Sequence, residues 1–283
     1  MPSTTSITRP SRSSRQSKTT CIPGKLECAA QAKILAQKRR IPLATKYNAN
    51  TNGAVPPSTT RISLPRTLPR PVLGEVDLTS LAKAYPNLTR VPAEYIRDLL
   101  PASTSSMRAA LQAVKTSGIC NSSLPKELEI IMNDAVAAAC PTHMLAVYND
   151  APLGCGQKRH VSLFPMHDLV LRAHCARLPT LPRSQPSTSS PSATIPVVPF
   201  CIPSPETFPL LHAYLYTQQP ATLRASLAYP CESASDLLQL ATHASKIHGL
   251  WRNACTLGVV DPQLYDVIET SWEHTLSAMQ ACS

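Results

Sequence analysis

Apolar residues fall at helical spacing most clearly near the C-terminus, where Tyr265, Ile268, Trp272, Leu276 and Met279 line one face. Asp261 is placed to cap that helix and Pro262 to begin it. Upstream, Leu237, Leu240, Ala244, Ile247 and Trp251 predict a helix from Ser235, with Gly249 marking a break. Phe208, Leu211 and Leu215 predict another, capped by Ser204 and opened by Pro205. Before these the period shortens to that of strands. Residues 144–148 and 159–164 read as two strands joined by the loop of Gly154 and Gly156, and 165–178 as a helix with Leu169, Val170 and Ala173 inward. Residues 179–195 (PTLPRSQPSTSSPSATI) read as a flexible Pro/Ser insertion. A third strand follows at 196–202, placed at a sheet edge by its prolines.

Three helices are expected in the preceding stretch. Pro92 opens one bearing Tyr95, Ile96, Leu99 and Leu100; Met107, Leu111 and Val114 mark a second; Leu128, Ile131, Ala135 and Ala138 mark a third, stopped by Pro141. The expected fold class is therefore α+β and helix-rich. It divides into a disordered basic Ser/Pro/Arg-rich arm (1–71) with one short helix over 26–40, a small helical unit (72–141), and a domain of short strands packed on helices (142–283).

Charge sharpens that division. Of 283 residues, 27 are Lys or Arg and 17 Asp or Glu. Residues 1–70 hold 13 bases and one acid, Glu27, whereas 71–283 hold 14 bases and 16 acids, so the basic character belongs to the arm. The 28 prolines are well above average usage, and the 8 glycines are too few for a Rossmann or P-loop enzyme. No apolar run approaches the ~18 residues of a membrane span. The first 20 residues show no secretory signal, and the ten cysteines are dispersed without paired spacing, so free thiols in an intracellular compartment are expected. Lys38, Arg39 and Arg40 form a compact basic triplet that reads as a nuclear address; a solvated arm without an address, in a cytoplasmic protein, is the alternative.

Candidate chemistry is sparse. Cys155, His160, His167, His174 and Cys175 lie close in sequence, but zinc takes about four tetrahedral donors, usually in close pairs, and no such pair exists here. Cysteine hydrolysis needs an activated thiol near a histidine, and no nucleophile signature is present. The expectation is no enzyme, no cofactor and no bound metal. The arm suits weak, non-specific phosphate contact, but Tyr47 is its lone aromatic and no recognition helix follows. What remains is protein binding, with Tyr214, Tyr216, Tyr265 and Trp272 as candidate aromatic anchors and Tyr216, Tyr265 and Trp272 the preferred contacts; the alternative for each is the core, since aromatics at helical spacing usually pack inward.

Strand, strand, helix, insertion, strand, then helices is the order of the BTB/POZ domain. Residues 160–177 (HVSLFPMHDLVLRAHCAR) resemble its second strand and first helix, with His167 just after the strand. Residues 204–218 (SPETFPLLHAYLYTQ) resemble a later helix with its Leu-Tyr-Thr ending. Two features depart from that pattern: the insertion replaces a helical hairpin, and the segments that such domains swap in dimers are not evident. The resemblance thus implies protein binding and leaves homo-oligomerisation open. The full-length pattern, a basic arm followed by LPRTLPRPVLGEVDLTSLAKAYPNLTRVPAEY at 64–95, also resembles the clampless family of basidiomycete regulators of sexual development. That resemblance implies a role in clamp-cell formation and division of the dikaryon, exercised through transcriptional or cell-cycle regulators rather than by catalysis.

Overall fold

Asp77, Asn133, Asp236 and Asp261 each begin a helix in the computed structural model of this chain, their side chains accepting backbone N–H groups of the first turn. The structure describes residues 64–116, 124–152, 159–184, 186, 191–229 and 236–282. The helix expected over 26–40, the Lys38, Arg39, Arg40 triplet, the Gly154 and Gly156 loop, and Cys155 lie outside the described residues. All described residues belong to one unit, Ile62 to Ser283.

The helices are α1 (Leu78–Ala84), α2 (Ala93–Ala113), α3 (Asp134–Ala138), α4 (Asp168–His174), α5 (Phe208–Thr217), α6 (Pro220–Ser226), α7 (Leu237–Leu257) and α8 (Pro262–Ala281). The strands are β1 (Glu127–Ile131), β2 (His143–Tyr148), β3 (Ser162–Met166) and β4 (Ser192–Cys201), ordered β1-β4-β2-β3. This is an α+β chain, as the periodicity indicates, and the sheet separates two apolar layers. Along β2, Leu145 and Val147 face the main core, while Met144 and Ala146 face a smaller one with Leu128, Ile130 and Val136. Alternate residues of a strand point to opposite faces, so β2 is buried on both.

Several expectations are corrected here. The predicted helix carrying Leu128 and Ile131 is a strand: Leu128 and Ile130 are buried while Glu127, Glu129 and Ile131 are exposed, a period of two that the later alanines obscure. Only Asp134–Ala138 is helical there. The two helices expected across 92–114 are one, because α2 runs through Pro101. A proline cannot bond the carbonyl four residues back, which here is Arg97. That oxygen instead faces the Gln218 side-chain amide at 3.5 Å. The second strand starts and ends later than expected, carrying Pro165 on an edge where a missing N–H is tolerated. Helix α6 was not anticipated.

The third strand is not at an edge. Residues Ser192 to Pro196 of β4 pair antiparallel with β1, and Val197 to Cys201 pair parallel with β2. Each proline sits where one ladder is missing: Pro196 precedes the first pair with β2, and Pro199 follows the last pair with β1. The last residues of the expected insertion, from Ser192, are thus strand. Because β1 joins the same sheet and α2 packs on α4 and α5, residues 72–141 and 142–283 pack as one unit.

Gly249 does not break its helix; it brings α7 against the turn after β4. A Cβ there would lie 2.5 Å from Ser204 Oγ and 2.9 Å from Ser204 Cβ. One turn on, fully buried Asn253 accepts the Ser204 N–H at 3.0 Å and donates to the Ser204 carbonyl at 2.6 Å, clamping that turn to α7. Gly249→Ala is therefore expected to destabilise the chain by about 1–3 kcal/mol, although alanine is the better helix former. Gly249→Ala/Ser204→Gly should recover most of the loss. Urea unfolding midpoints check both, and a midpoint unchanged in Gly249→Ala would refute the close approach.

Candidate partner-binding surface

Helix α4 is buried along nearly its whole length, yet it carries a charge pair. Asp168 accepts from Arg172 Nε at 3.0 Å and from the Tyr85 hydroxyl, while Arg172 also bonds Ser80 Oγ. The Asp168 N–H donates to Thr142 Oγ1 at 2.8 Å. The carboxylate also lies 3.1 Å from Thr142 Oγ1, so Asp168 ties α4 to its own next turn, to the end of α1 and to the residue before β2. Burial and the Asp168 carboxylate together push the Tyr85 phenol well above its ordinary range. Above this cluster lies an open cleft of about 510 Å³, lined by Asp77, Lys83, Arg172, Cys175, Leu181 and Arg183 among others.

The histidines of this region act as hydrogen-bonding struts. His167 Nε2 lies 3.1 Å from the Ala139 carbonyl, which can only accept, so this nitrogen carries the proton. The other ring nitrogen, 2.8 Å from the Tyr216 hydroxyl, then accepts from it, while the same oxygen accepts the His167 backbone N–H at 3.0 Å. His174 Nε2 accepts from the Gln218 amide at 3.0 Å. His143 Nε2 donates to the Pro182 carbonyl at 2.9 Å. Burial lowers the pKa of all three, to about 4 for His174, and it lowers His212 to about 4 as well. Burial likewise pushes the Cys175 thiol up to about 12 and Cys255 up to about 11, whereas a nucleophilic cysteine needs a depressed value. Among the described residues no three His, Cys, Asp or Glu side chains gather as a metal site would require.

Helices α7 and α8 present an aromatic face. The rings of His248 and Trp251 stack with centroids 5.4 Å apart, and Trp272 lies 6.1 Å from His248. Residues 64–71 (LPRTLPRP) lie across it. Trp272 Nε1 donates to the Pro65 carbonyl and Trp251 Nε1 to the Pro69 carbonyl, each at 3.1 Å. Leu68 is only 4% exposed, and the Arg70 guanidinium lies 2.6 Å from both Asp266 and Glu269 carboxylates on α8. The arm expected to be disordered through residue 71 is therefore held from residue 64 onward.

Of the anticipated anchors, Tyr216, Tyr265 and Trp272 are all buried, so each serves the core. Tyr216 holds His167, the Tyr265 hydroxyl donates to the Val259 carbonyl, and Trp272 holds Pro65. Tyr214 donates to Asp261, whose other oxygen caps α8. The strap and its seat escaped sequence reasoning, although a signal was present. Leu-Pro-Arg occurs at 64–66, 68–70 and 181–183, and in each copy the proline carbonyl accepts a ring N–H, from Trp272, Trp251 and His143 respectively.

Two family models match this chain: that of the Clampless protein 1 N-terminal domain over residues 69–203, and that of the Clampless protein 1 C-terminal domain over residues 191–283. No curated protein and no solved structure matches.

Two outcomes follow from the buried groups. Asp168→Asn leaves the Arg172 charge uncompensated and is expected to cost about 3 kcal/mol or more in urea unfolding. Stability should also fall on acidification. Above pH ~6.5 the imidazoles are neutral whether the chain is folded or not; between ~6.5 and ~4 the unfolded chain takes up protons that folded His174 and His212 refuse. Each contributes a loss of about 3 kcal/mol by the low end of that window. Unfolding midpoints at pH 7 and pH 5 check this, and equal values would contradict the buried, neutral assignment.

Proposed function

Because the chain belongs to the clampless protein family, which fits a role in fungal clamp formation, we propose that it acts there as a non-enzymatic adaptor. It brings transcriptional or cell-cycle regulators together by protein–protein contact. The observation that carries this reading is the commitment of its reactive groups. Of the groups lining the cleft, Asp77 caps α1, Ser80 bonds Arg172, Arg172 is paired with Asp168, and burial pushes the Cys175 thiol up. What such a cleft offers is recognition. The outer face of α2 adds exposed Tyr95 and Leu99, one turn apart.

We read residues from β2 onward as BTB/POZ-like. The order β2, β3, α4, β4, α5 follows that domain, and the Tyr216–His167 bond joins the two segments that resemble it. The basic arm, with Lys38, Arg39 and Arg40, supports a nuclear location. The arm's charge also supports a second reading, non-specific nucleic-acid contact. Affinity capture at moderate salt, with the full chain and with a chain lacking residues 1–63, separates the two. An adaptor retains defined regulators in both forms. Retention of nucleic acid by the full chain alone, with no protein captured by either, would sink the adaptor reading.

A further inference from the structure

We infer that the aromatic face of α7 and α8 is a docking groove for Leu-Pro-Arg segments of a partner protein, and that residues 64–71 occupy it as an internal stand-in. This names a partner class for the adaptor reading and rests on it. The seated strap defines the chemistry of the site. Two indole N–H groups are aimed at proline carbonyls four residues apart, Pro65 and Pro69, which are the acceptors an extended proline-rich chain leaves unpaired. Between them, Leu68 fills an apolar seat, and beyond them Asp266 and Glu269 receive an arginine. Proline-rich segments are recognised generally in aromatic-lined grooves, and this groove adds two N–H donors, an apolar socket and a flanking acidic pair.

The strap is built to leave. Arg70 and Asp266 are solvent-exposed, and exposed ion pairs hold weakly. Residues 64–71 form no helix or strand, and their hydrogen bonds to the domain are few: the Pro65 and Pro69 carbonyls each accept one indole N–H, and the Arg70 side chain meets Asp266 and Glu269. Leu-Pro-Arg at 181–183 is seated by the same rule, its leucine buried and its proline carbonyl bonded by His143, so the chain uses this recognition twice. A partner carrying repeated Leu-Pro-Arg would compete for the α7–α8 groove by matching every contact the strap makes.

The full-length chain supplies its own reporter, because its only two tryptophans are Trp251 and Trp272. In Leu68→Asp/Arg70→Glu the strap is expected to leave, shifting tryptophan emission to longer wavelength while far-UV circular dichroism is unchanged. Adding a synthetic peptide with the sequence of residues 64–71 should restore the original emission saturably. A peptide with glutamate at both arginines should bind at least about tenfold more weakly. If circular dichroism shows that this variant has lost its fold, Asp266→Lys/Glu269→Lys replaces it: its exposed charges are reversed, and the glutamate peptide should now be preferred. Emission unchanged on release, or a released chain that no concentration of peptide restores, overturns the inference. So does a wild-type dimer, seen by light scattering, that added peptide dissolves, since the occupant is then a second copy of this chain. Capture of regulators through another surface would leave the adaptor reading standing when the peptide fails.

Discussion

A buried carboxylate–guanidinium pair, Asp168 with Arg172, sets the terms for the centre of this molecule. Two charges removed from water must satisfy one another and every remaining lone pair and proton. Here that requirement recruits Tyr85 and Ser80 from the α1 region, Thr142 from the approach to β2, and successive turns of α4. The pair lies in the most buried helix, so apolar packing surrounds it and raises the cost of any loosening. Segments more than 80 residues apart are fixed by one polar cluster, which apolar contacts alone specify far less sharply.

The helices of the C-terminal half were legible because their apolar stripes and their caps agree. Asp261 followed by Pro262, with Ile268 and Trp272 on one face, signals its element at three levels at once. Segment 127–138 was not legible, because Leu128, Ile130 and the alanines after them satisfy helical and strand periods over so short a run. Glu127 and Glu129, opposed to Leu128 and Ile130, held the distinction. The prolines of β4 and the glycine of α7 misled for a shared reason. Proline at an edge and glycine at a break are rules about local backbone, whereas Pro199 is accommodated by where β1 stops and Gly249 by what packs on it.

Site residues were harder still. An aromatic at helical spacing reads the same whether its polar atom is spent inside or offered outside. Tyr216, Tyr265 and Trp272 each spend it inside, and only the three-dimensional partner reveals which. The strap was hidden by an assumption about composition, that a Ser/Pro/Arg-rich stretch has nothing to bury. Leu68 does bury itself, and the repeated tripeptide around it was the better guide.

Strand β4 carries a consequence for how this family's two sequence modules are related. The matches of the N- and C-terminal models overlap at 191–203, a span that contains the whole of β4. Its first half closes a ladder with β1, and its second half closes one with β2. All four strands fall within the N-terminal match, and β4 is the one strand that the C-terminal match shares with it. The main core likewise joins side chains of both matches, Leu145 and Leu171 from one with Leu250 and Trp272 from the other, so a cut within β4 divides a single packed interior rather than separating two domains that each own a core.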